Sequence, residues 1–388
     1  MINPEAVQDQ QSIEVSFVLP CLNEENTLPI ALGYVKEAIA RLGSRCEIIA
    51  ADNGSTDRTG EIAGQNGARI VCVEKRGYGS ALLSGIQAAR GRYIVMGDAD
   101  GTYDFREATA FIERLRNHEA DMIIGSRLKG KIDRSAMPFL HRYLGTPVLS
   151  FLIRTFFKLR ISDCNCGMRA FTKAAFERMH LISTGMEFAS EMLIKAGVLG
   201  LRVEEIPCSL YKDQRDRKPH LKTWRDGWRH LKFILIFAPK WLFLIPGIGL
   251  LVLGIIPTVM LMFGKITMGS IEIDSHFILV FSILIICGYQ IIWLYKFGYY
   301  FVVFSGYFKK DKEPSFALEK TLIIALVLFF VGLGLGIYSG LEWLKTKYSS
   351  IANLRVMMLG VDFIFLAILT GMNAFMLSTL NIRIRRSS

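Results

Sequence analysis

Short apolar segments alternate with amphipathic segments through the first third of the chain. Five apolar runs that end in polar residues predict strands at residues 14–20, 46–51, 69–73, 92–96 and 121–124. The stretches between them predict helices at residues 25–42, 57–66, 78–89 and 106–117. Strands and helices that alternate at this rhythm indicate an α/β domain, with a mostly parallel sheet covered by helices on both faces.

From Trp241 onward the pattern changes to long apolar runs. Four of them approach the length of about 20 residues that crosses about 30 Å of hydrocarbon. They cover residues 241–263, 277–294, 321–340 and 356–380, and they contain almost no charge. We therefore predict an all-α membrane domain of four transmembrane helices. Asp362, near the start of the last run, is interpreted as hydrated at the membrane interface; the alternative is a functional intramembrane carboxylate.

A basic, aromatic segment lies between the two halves. Trp224, Trp228, Leu231 and Leu235 recur at helical spacing with basic residues on the other face, which predicts a helix lying in the headgroup region. Residues 137–160 are likewise apolar and basic, and they are also expected to lie against the bilayer. The expected domains are residues 1–212 (α/β), 213–240 (basic loop and interfacial helix) and 241–388 (membrane).

The 388-residue chain carries a formal net charge of +11. Nucleic acid, anionic lipid and phosphorylated substrates all suit such a surplus, and the apolar half favours the last two. Nucleic acid is not expected as a partner.

Lysines between the second and third runs and arginines at the C-terminus place both ends of the membrane domain inside the cell. With seven scattered cysteines and a polar N-terminus, the first domain is expected to be cytoplasmic.

Polar residues follow four of the predicted strands, where a parallel sheet of this kind binds its ligand. Asp98 and Asp100, one residue apart after the fourth strand, can hold a hard divalent cation such as Mg²⁺ or Mn²⁺. Such a cation can neutralise a departing diphosphate. Asp52, after the second strand, can accept a hydrogen bond from a nucleobase or ribose. The pattern predicts a metal-dependent site for a nucleotide.

Four motifs in this order and spacing carry a family resemblance: PCLNEE (20–25), ADNGSTD (51–57), GDADGTYD (97–104) and GSR (125–127). Together they resemble the GT-A domain of a family-2 glycosyltransferase, in the dolichyl-phosphate mannose/glucose synthase branch of polyprenyl-phosphate glycosyltransferases. SDCNCGMRAF, GMEFASE and RDGWRHL resemble its bacterial members. The resemblance covers residues 13–240 and implies a GT-A, Rossmann-like fold.

The resemblance also implies a role for individual residues. The nucleotide pocket would be lined by Pro20, Leu22, Glu24, Asp52 and Asn53. The diphosphate and the Mg²⁺ or Mn²⁺ ion would be bound by Asp98, Ala99 and Asp100, with Thr102 as a further metal position. The acceptor phosphate would meet Arg127 and Arg142, and the diphosphate would be covered by Arg215, Arg217 and Lys218. Asp98, Asp100 and Arg127 are the expected catalytic residues.

A phosphate acceptor suits this set of residues. A phosphate arrives ionised and needs no general base, whereas a hydroxyl does. The expected reaction is inverting transfer of a hexose from a donor of the UDP-glucose or GDP-mannose type to polyprenyl or dolichyl phosphate at the cytoplasmic membrane. The expected partners are these two substrates and the lipid bilayer. A homo-oligomer is possible, and the sequence leaves the oligomeric state open.

Two other functions remain as alternatives. The first is a glycosyltransferase that acts on a hydroxyl of a membrane glycolipid or polysaccharide, for which Glu187 is a candidate base. The second is a non-catalytic membrane protein that senses nucleotide-sugar. Glu187 and Glu191 are otherwise interpreted as supporting or helix-capping residues.

Overall fold

The computed structural model of the protein describes residues 12–214, 223–268, 271–304, 316–345 and 354–384. They fall into two units, Met1–Ile234 and Leu235–Ser388. The first contains the α/β elements and the second the apolar helices.

Among the described residues, the first unit contains one sheet of seven strands. They are β1 (Val15–Cys21), β2 (Cys46–Asp52), β3 (Arg69–Cys72), β4 (Tyr93–Met96), β5 (Met122–Ser126), β6 (Arg169–Thr172) and β7 (Val203–Pro207). The order is β3-β2-β1-β4-β6-β5-β7. Only β6 runs antiparallel to its neighbours, and the other pairings are parallel. The five predicted strands are confirmed to within two residues at each end, and the mostly parallel sheet is confirmed with them. β6 and β7 were not predicted.

The core of this unit lies around β1. Val15, Phe17, Val18 and Leu19 are fully buried, as expected for a parallel strand that is covered on both faces. The helices are α1 (Leu28–Leu42), α2 (Thr59–Gln65), α3 (Tyr78–Ala88), α4 (Ala108–Arg116), α5 (Thr146–Phe157), α6 (Lys173–Met179), α7 (Phe188–Val198) and α8 (Thr223–Ile236). Because β1, β2, β4 and β5 are parallel, their carboxyl ends lie at one edge of the sheet.

The second unit contains four long apolar helices among its described residues. They are α9 (Ile245–Phe263), α10 (Ile278–Phe304), α11 (Leu318–Lys345) and α12 (Leu354–Ile384). Two short antiparallel strands, β8 (Ile266–Met268) and β9 (Ile271–Ile273), follow α9. By length and composition each helix can cross a bilayer. The four predicted transmembrane helices are confirmed, and the chain is a multi-pass membrane protein.

Two kinds of contact join these helices. Glycines allow the close approach of α11 to α12, where a Cβ on Gly332 would lie 2.7 Å from the Gly360 carbonyl oxygen. Side-chain hydrogen bonds join α10 to α12. These pair Ser282 with Asp362, Tyr289 with Thr370, and Gln290 with Asn373.

The expectation that Asp362 is hydrated is wrong. The side chain is 4% exposed, because α10 packs against α12 at this position and its Ser282 hydroxyl bonds the carboxylate.

Candidate active site

The loops after β1 and β2 are tied together by hydrogen bonds. The Asn23 backbone N–H donates to Ser55 Oγ at 3.0 Å, and the Thr56 backbone N–H donates to Asn23 Oδ1 at 2.7 Å. Asn23 has a φ of 56°, a left-handed conformation that asparagine tolerates better than most residues. The two loops therefore form one continuous wall at the carboxyl edge of the sheet.

The residues predicted for the nucleotide pocket lie along this wall. Pro20, Leu22 and Asp52 are half-buried, whereas Glu24 is buried and accepts a hydrogen bond from Thr27 Oγ1 at 2.7 Å. Asp52 Oδ1 accepts from the backbone N–H and the hydroxyl of Ser55, at 2.9 and 2.5 Å. The structure thus brings these side chains together at the ends of neighbouring strands.

Asn53 has a different environment. It is buried, its Nδ2 donates to the Lys75 carbonyl at 3.0 Å, and its Oδ1 accepts from the Gly77 N–H at 2.7 Å. Both ends of the amide therefore bind backbone, and the side chain fixes the loop between β3 and α3. Its contact with substrate stays a prediction.

Asp98 and Asp100 follow β4, which is central in the sheet. Asp98 is half-buried and Asp100 is buried, as is Ala99 between them. Asp100 Oδ1 accepts from the backbone N–H of Thr102 at 3.0 Å and from its hydroxyl at 2.6 Å. Thr102 therefore orients Asp100 through its hydroxyl proton.

Two residues that the sequence did not reveal lie beside the Asp98 carboxylate. The Tyr78 hydroxyl, from the first turn of α3, donates to Asp98 Oδ1 at 2.9 Å. Burial raises the pKa of Tyr78 and the nearby Asp98 charge raises it further, so the phenol remains a proton donor. Asp98 Oδ2 lies against Gly167, where a Cβ would be 2.7 Å away. Only glycine fits at this position without displacing the carboxylate.

Arg127 is paired with Asp163. Its Nε and Nη2 donate to the two carboxylate oxygens at 2.7 and 2.8 Å, and its backbone N–H donates to Asp163 Oδ2 at 3.0 Å. Burial alone would lower the pKa of Arg127, but Tyr103 and Asp163 raise it well above its usual range. The SDCNCG motif contains Asp163, but a partner 36 residues away cannot be deduced from spacing.

Of the other predicted phosphate-binding residues, Arg142 alone lies among the described residues. Arg142 is exposed, and its guanidinium lies 5.5 Å from the Tyr143 ring centroid. Arg215, Arg217 and Lys218 lie outside the described residues.

Glu191 and Glu187 have separate environments. Glu191 is buried, is paired with Lys195 at 2.8 Å, and accepts from the backbone N–H of Ser183 at 2.8 Å, which agrees with a supporting role. Glu187 is half-buried, and its carboxylate lies close to Gly185.

Aromatic side chains are exposed at two places on this part of the chain. Around the start of α5, Phe139 and Tyr143 are 75% and 60% exposed. On α8, Trp224 and Trp228 are 79% and 61% exposed, while His230 from another face of the helix bonds Ser190 Oγ at 2.7 Å. Exposed aromatic residues beside basic ones are typical of surfaces that contact lipid headgroups.

Comparison with known proteins agrees with this architecture. The chain matches Glycosyl transferase family 2 over residues 16–180 and the Glycosyltransferase family 2 C-terminal transmembrane region over residues 310–381. It is 37% identical over 344 residues to the low-salt glycan biosynthesis hexosyltransferase Agl6 of Haloferax volcanii, covering 87% of this chain and 82% of the relative. Glycosyltransferase AglD of the same organism is 32% identical over 205 residues, 50% of this chain and 32% of its own.

Among solved structures, glucosyl-3-phosphoglycerate synthase from Mycobacterium tuberculosis, in complex with Mn²⁺, uridine diphosphate and glucosyl-3-phosphoglycerate, aligns with 21% identity and a TM-score of 0.46. The alignment covers 58% of this chain and 80% of that one.

The sequence relatives show that the chain belongs to glycosyltransferase family 2 and is a glycosyltransferase. The predicted fold, a GT-A domain followed by transmembrane helices, is confirmed.

Proposed function

We propose that this glycosyltransferase transfers a hexose from a nucleotide-sugar to a polyprenyl phosphate at the cytoplasmic face of a cell membrane. The observation that carries the proposal is the pair Asp98 and Asp100 at the end of a central parallel strand, beside the wall that contains Asp52. A hexose is proposed because the relative Agl6, which aligns along most of both chains, is named a hexosyltransferase.

The donor set suits Mg²⁺ or Mn²⁺. Asp98 and Asp100 would supply two oxygen ligands, with Thr102 beside them. Among the described residues, no group of three or more His, Cys, Asp or Glu side chains is placed to hold a metal. Mg²⁺ is usually held by one or two carboxylates together with substrate phosphates and water. When bound, the cation would neutralise charge on the leaving nucleoside diphosphate.

The nucleotide half of the donor would occupy the wall between β1 and β2. Asp52 uses Oδ1 for Ser55, so Oδ2 can accept from a base or ribose. Pro20 and Leu22 would supply the apolar edge, Glu24 and Asn53 would hold the loops, and Ala99 would leave room for the diphosphate.

A negatively charged acceptor phosphate must approach the negatively charged diphosphate of the donor. Each pair of unit charges about 4 Å apart costs about 4 kcal/mol at an effective dielectric of about 20. Arginines can offset this repulsion through forked hydrogen bonds to phosphate. Asp163 already takes two donors of Arg127, which leaves Nη1 for the acceptor. Arg142 is exposed and would make more hydrogen bonds to the acceptor phosphate than Arg127.

The position at the membrane is proposed from the exposed aromatic residues. Phe139, Tyr143, Trp224 and Trp228 would lie among lipid headgroups, where the acceptor phosphate is found. The cytoplasmic side is inferred from the lysines and arginines of the loops.

Transfer to a hydroxyl is the second candidate. It is favoured by Glu187, whose half-buried carboxylate could act as a general base. Replacement by glutamine separates the two functions: Glu187→Gln should keep most activity with a phosphate acceptor and lose it with a hydroxyl acceptor.

The direct test supplies membranes that contain the protein with radiolabelled UDP- and GDP-hexoses and polyprenyl phosphate. We expect a labelled lipid that is cleaved by mild acid, and its formation should stop on chelation and resume with Mn²⁺.

Asp100→Asn should lose at least about 100-fold in rate, as when a group that stabilises transition-state charge is removed. Glu61→Gln, on an exposed helix position, is the control. A labelled product that is made equally well by Asp100→Asn, or in the presence of chelator, would refute the metal site.

A further inference from the structure

A carboxyl group lies inside the membrane domain at the contact between α10 and α12. Asp362 is eight residues, or about 12 Å, from the start of α12, and it is 4% exposed. Ser282 on α10 donates its hydroxyl to Asp362 Oδ2 at 2.9 Å. The other oxygen, Oδ1, is buried and has no hydrogen-bond partner among the described residues.

Within the described residues, the charged groups of the neighbouring helices are engaged elsewhere or distant. Arg355, two turns before Asp362 on α12, donates to Asp274 Oδ1 at 2.7 Å and to the Leu261 carbonyl. Lys296, the one charged residue of α10, is 14 positions beyond Ser282 and lies 4.1 Å from the Trp293 ring centroid. Helix α9 has no charged residue. Helix α11 has charges only in its first and last turns, at Glu319, Lys320, Glu342 and Lys345.

An ionised Asp362 would therefore be a buried charge without a counter-ion among the described residues. Such a charge is strongly unfavourable in a protein interior and more so within a bilayer. The other side-chain hydrogen bonds between α10 and α12 among the described residues join neutral groups. The Tyr289 hydroxyl lies 2.5 Å from Thr370 Oγ1, and Asn373 Nδ2 donates to Gln290 Oε1 at 2.8 Å.

We propose that Asp362 is a proton-binding site of the membrane domain, occupied at neutral pH. The proton resides on Oδ1, the oxygen without a partner, so the charge is removed and the bond from Ser282 to Oδ2 is kept. The neutral carboxyl then joins α12 to α10 like the amide and hydroxyl pairs further along. Loss of the proton would place a bare charge in this contact, so proton binding and the pairing of the two helices are coupled.

Infrared spectroscopy of the full-length protein in lipid nanodiscs tests the proposal. The difference between wild type and Asp362→Asn at neutral pH should show loss of the carbonyl stretch of a protonated carboxyl. Asp274→Asn is the matched control, because the Asp274 carboxylate is paired with Arg355; its difference spectrum should show loss of a carboxylate band instead. If Asp362→Asn also removes a carboxylate band and leaves the protonated region unchanged, the proposal is wrong.

Thermal unfolding gives a second, independent result. Asparagine has the shape and neutrality of a protonated aspartic acid, so Asp362→Asn should unfold within a few degrees of wild type. Asp362→Ala, which leaves a cavity and an unpaired Ser282, should unfold at a lower temperature. An Asn variant that is as unstable as the Ala variant, or that does not fold, would contradict a neutral carboxyl at this position.

Discussion

Tyr78 and Asp163 each hold one charged side chain of the candidate active site in a single orientation. Tyr78 donates to Asp98, which restricts the rotation of that carboxylate. Asp163 binds Arg127 through two parallel hydrogen bonds, a geometry that fixes a guanidinium plane. Neither residue needs to touch substrate to affect the rate.

Removing the Tyr78 hydroxyl should weaken metal binding and slow transfer. A hydrogen bond to a charged group contributes about 1.5–3 kcal/mol, so Tyr78→Phe should lower kcat by about tenfold or more and raise the Mn²⁺ concentration that gives half-maximal rate. Tyr93→Phe is the matched control, since Tyr93 is a buried tyrosine that lies at the opposite end of β4 from Asp98. Equal metal dependence in wild type and Tyr78→Phe would remove Tyr78 from this role.

Neutralising Asp163 should destabilise the α/β unit. Breaking a buried ion pair by removing one partner costs about 3–5 kcal/mol, and Asp163 is fully buried. We expect Asp163→Asn to lower the unfolding temperature of the full-length protein in detergent. Glu61→Gln, which breaks the exposed pair with Arg58, should leave that temperature unchanged. An unfolding temperature for Asp163→Asn that matches the control would show that the Arg127 pair is not stabilising.

Among the elements, β6 determines how the loop before it meets the Asp98 carboxylate. It is antiparallel to β4, with Met96 opposite Arg169. Asp98, two residues after Met96, therefore comes opposite Gly167, two residues before Arg169, which explains their contact. The buried Arg169 donates to the Cys164 and Cys166 carbonyls at 2.9 and 3.1 Å and holds this loop closed.

Close helix packing in the membrane can be tested with two glycines of α11. A methyl group at Gly332 would meet the Gly360 carbonyl oxygen and Ile364, whereas a methyl group at Gly334 would meet no described atom within 4 Å. Gly332→Ala should therefore cost about 1–3 kcal/mol through overpacking, measured as a lower unfolding temperature in detergent. Gly334→Ala should match or exceed wild type, because alanine favours helix. Equal effects at both positions would mean that α11 and α12 are not closely packed.

Across the whole molecule, the sequence predicts what depends on local pattern. The five strands, the four apolar helices and the Asp98–Asp100 motif each lie within a short continuous segment. Strand β6 was missed because it is four residues long and begins with a buried arginine, which interrupts an apolar run. The Arg127–Asp163 pair and the burial of Asp362 by α10 depend on segments 36 and 80 residues apart. Tertiary packing, which one sequence does not specify by spacing, determines them.

The central claim concerns the acceptor, and the phosphorus NMR spectrum of the lipid product tests it most directly. Polyprenyl phosphate would be incubated with the full-length protein, Mn²⁺ and the nucleotide-hexose that the labelling assay identifies. Transfer to phosphate converts the lipid monoester into a diester, so the monoester signal should disappear as a diester signal grows in equal amount. A sugar-bearing lipid product with its phosphate monoester intact would contradict the account.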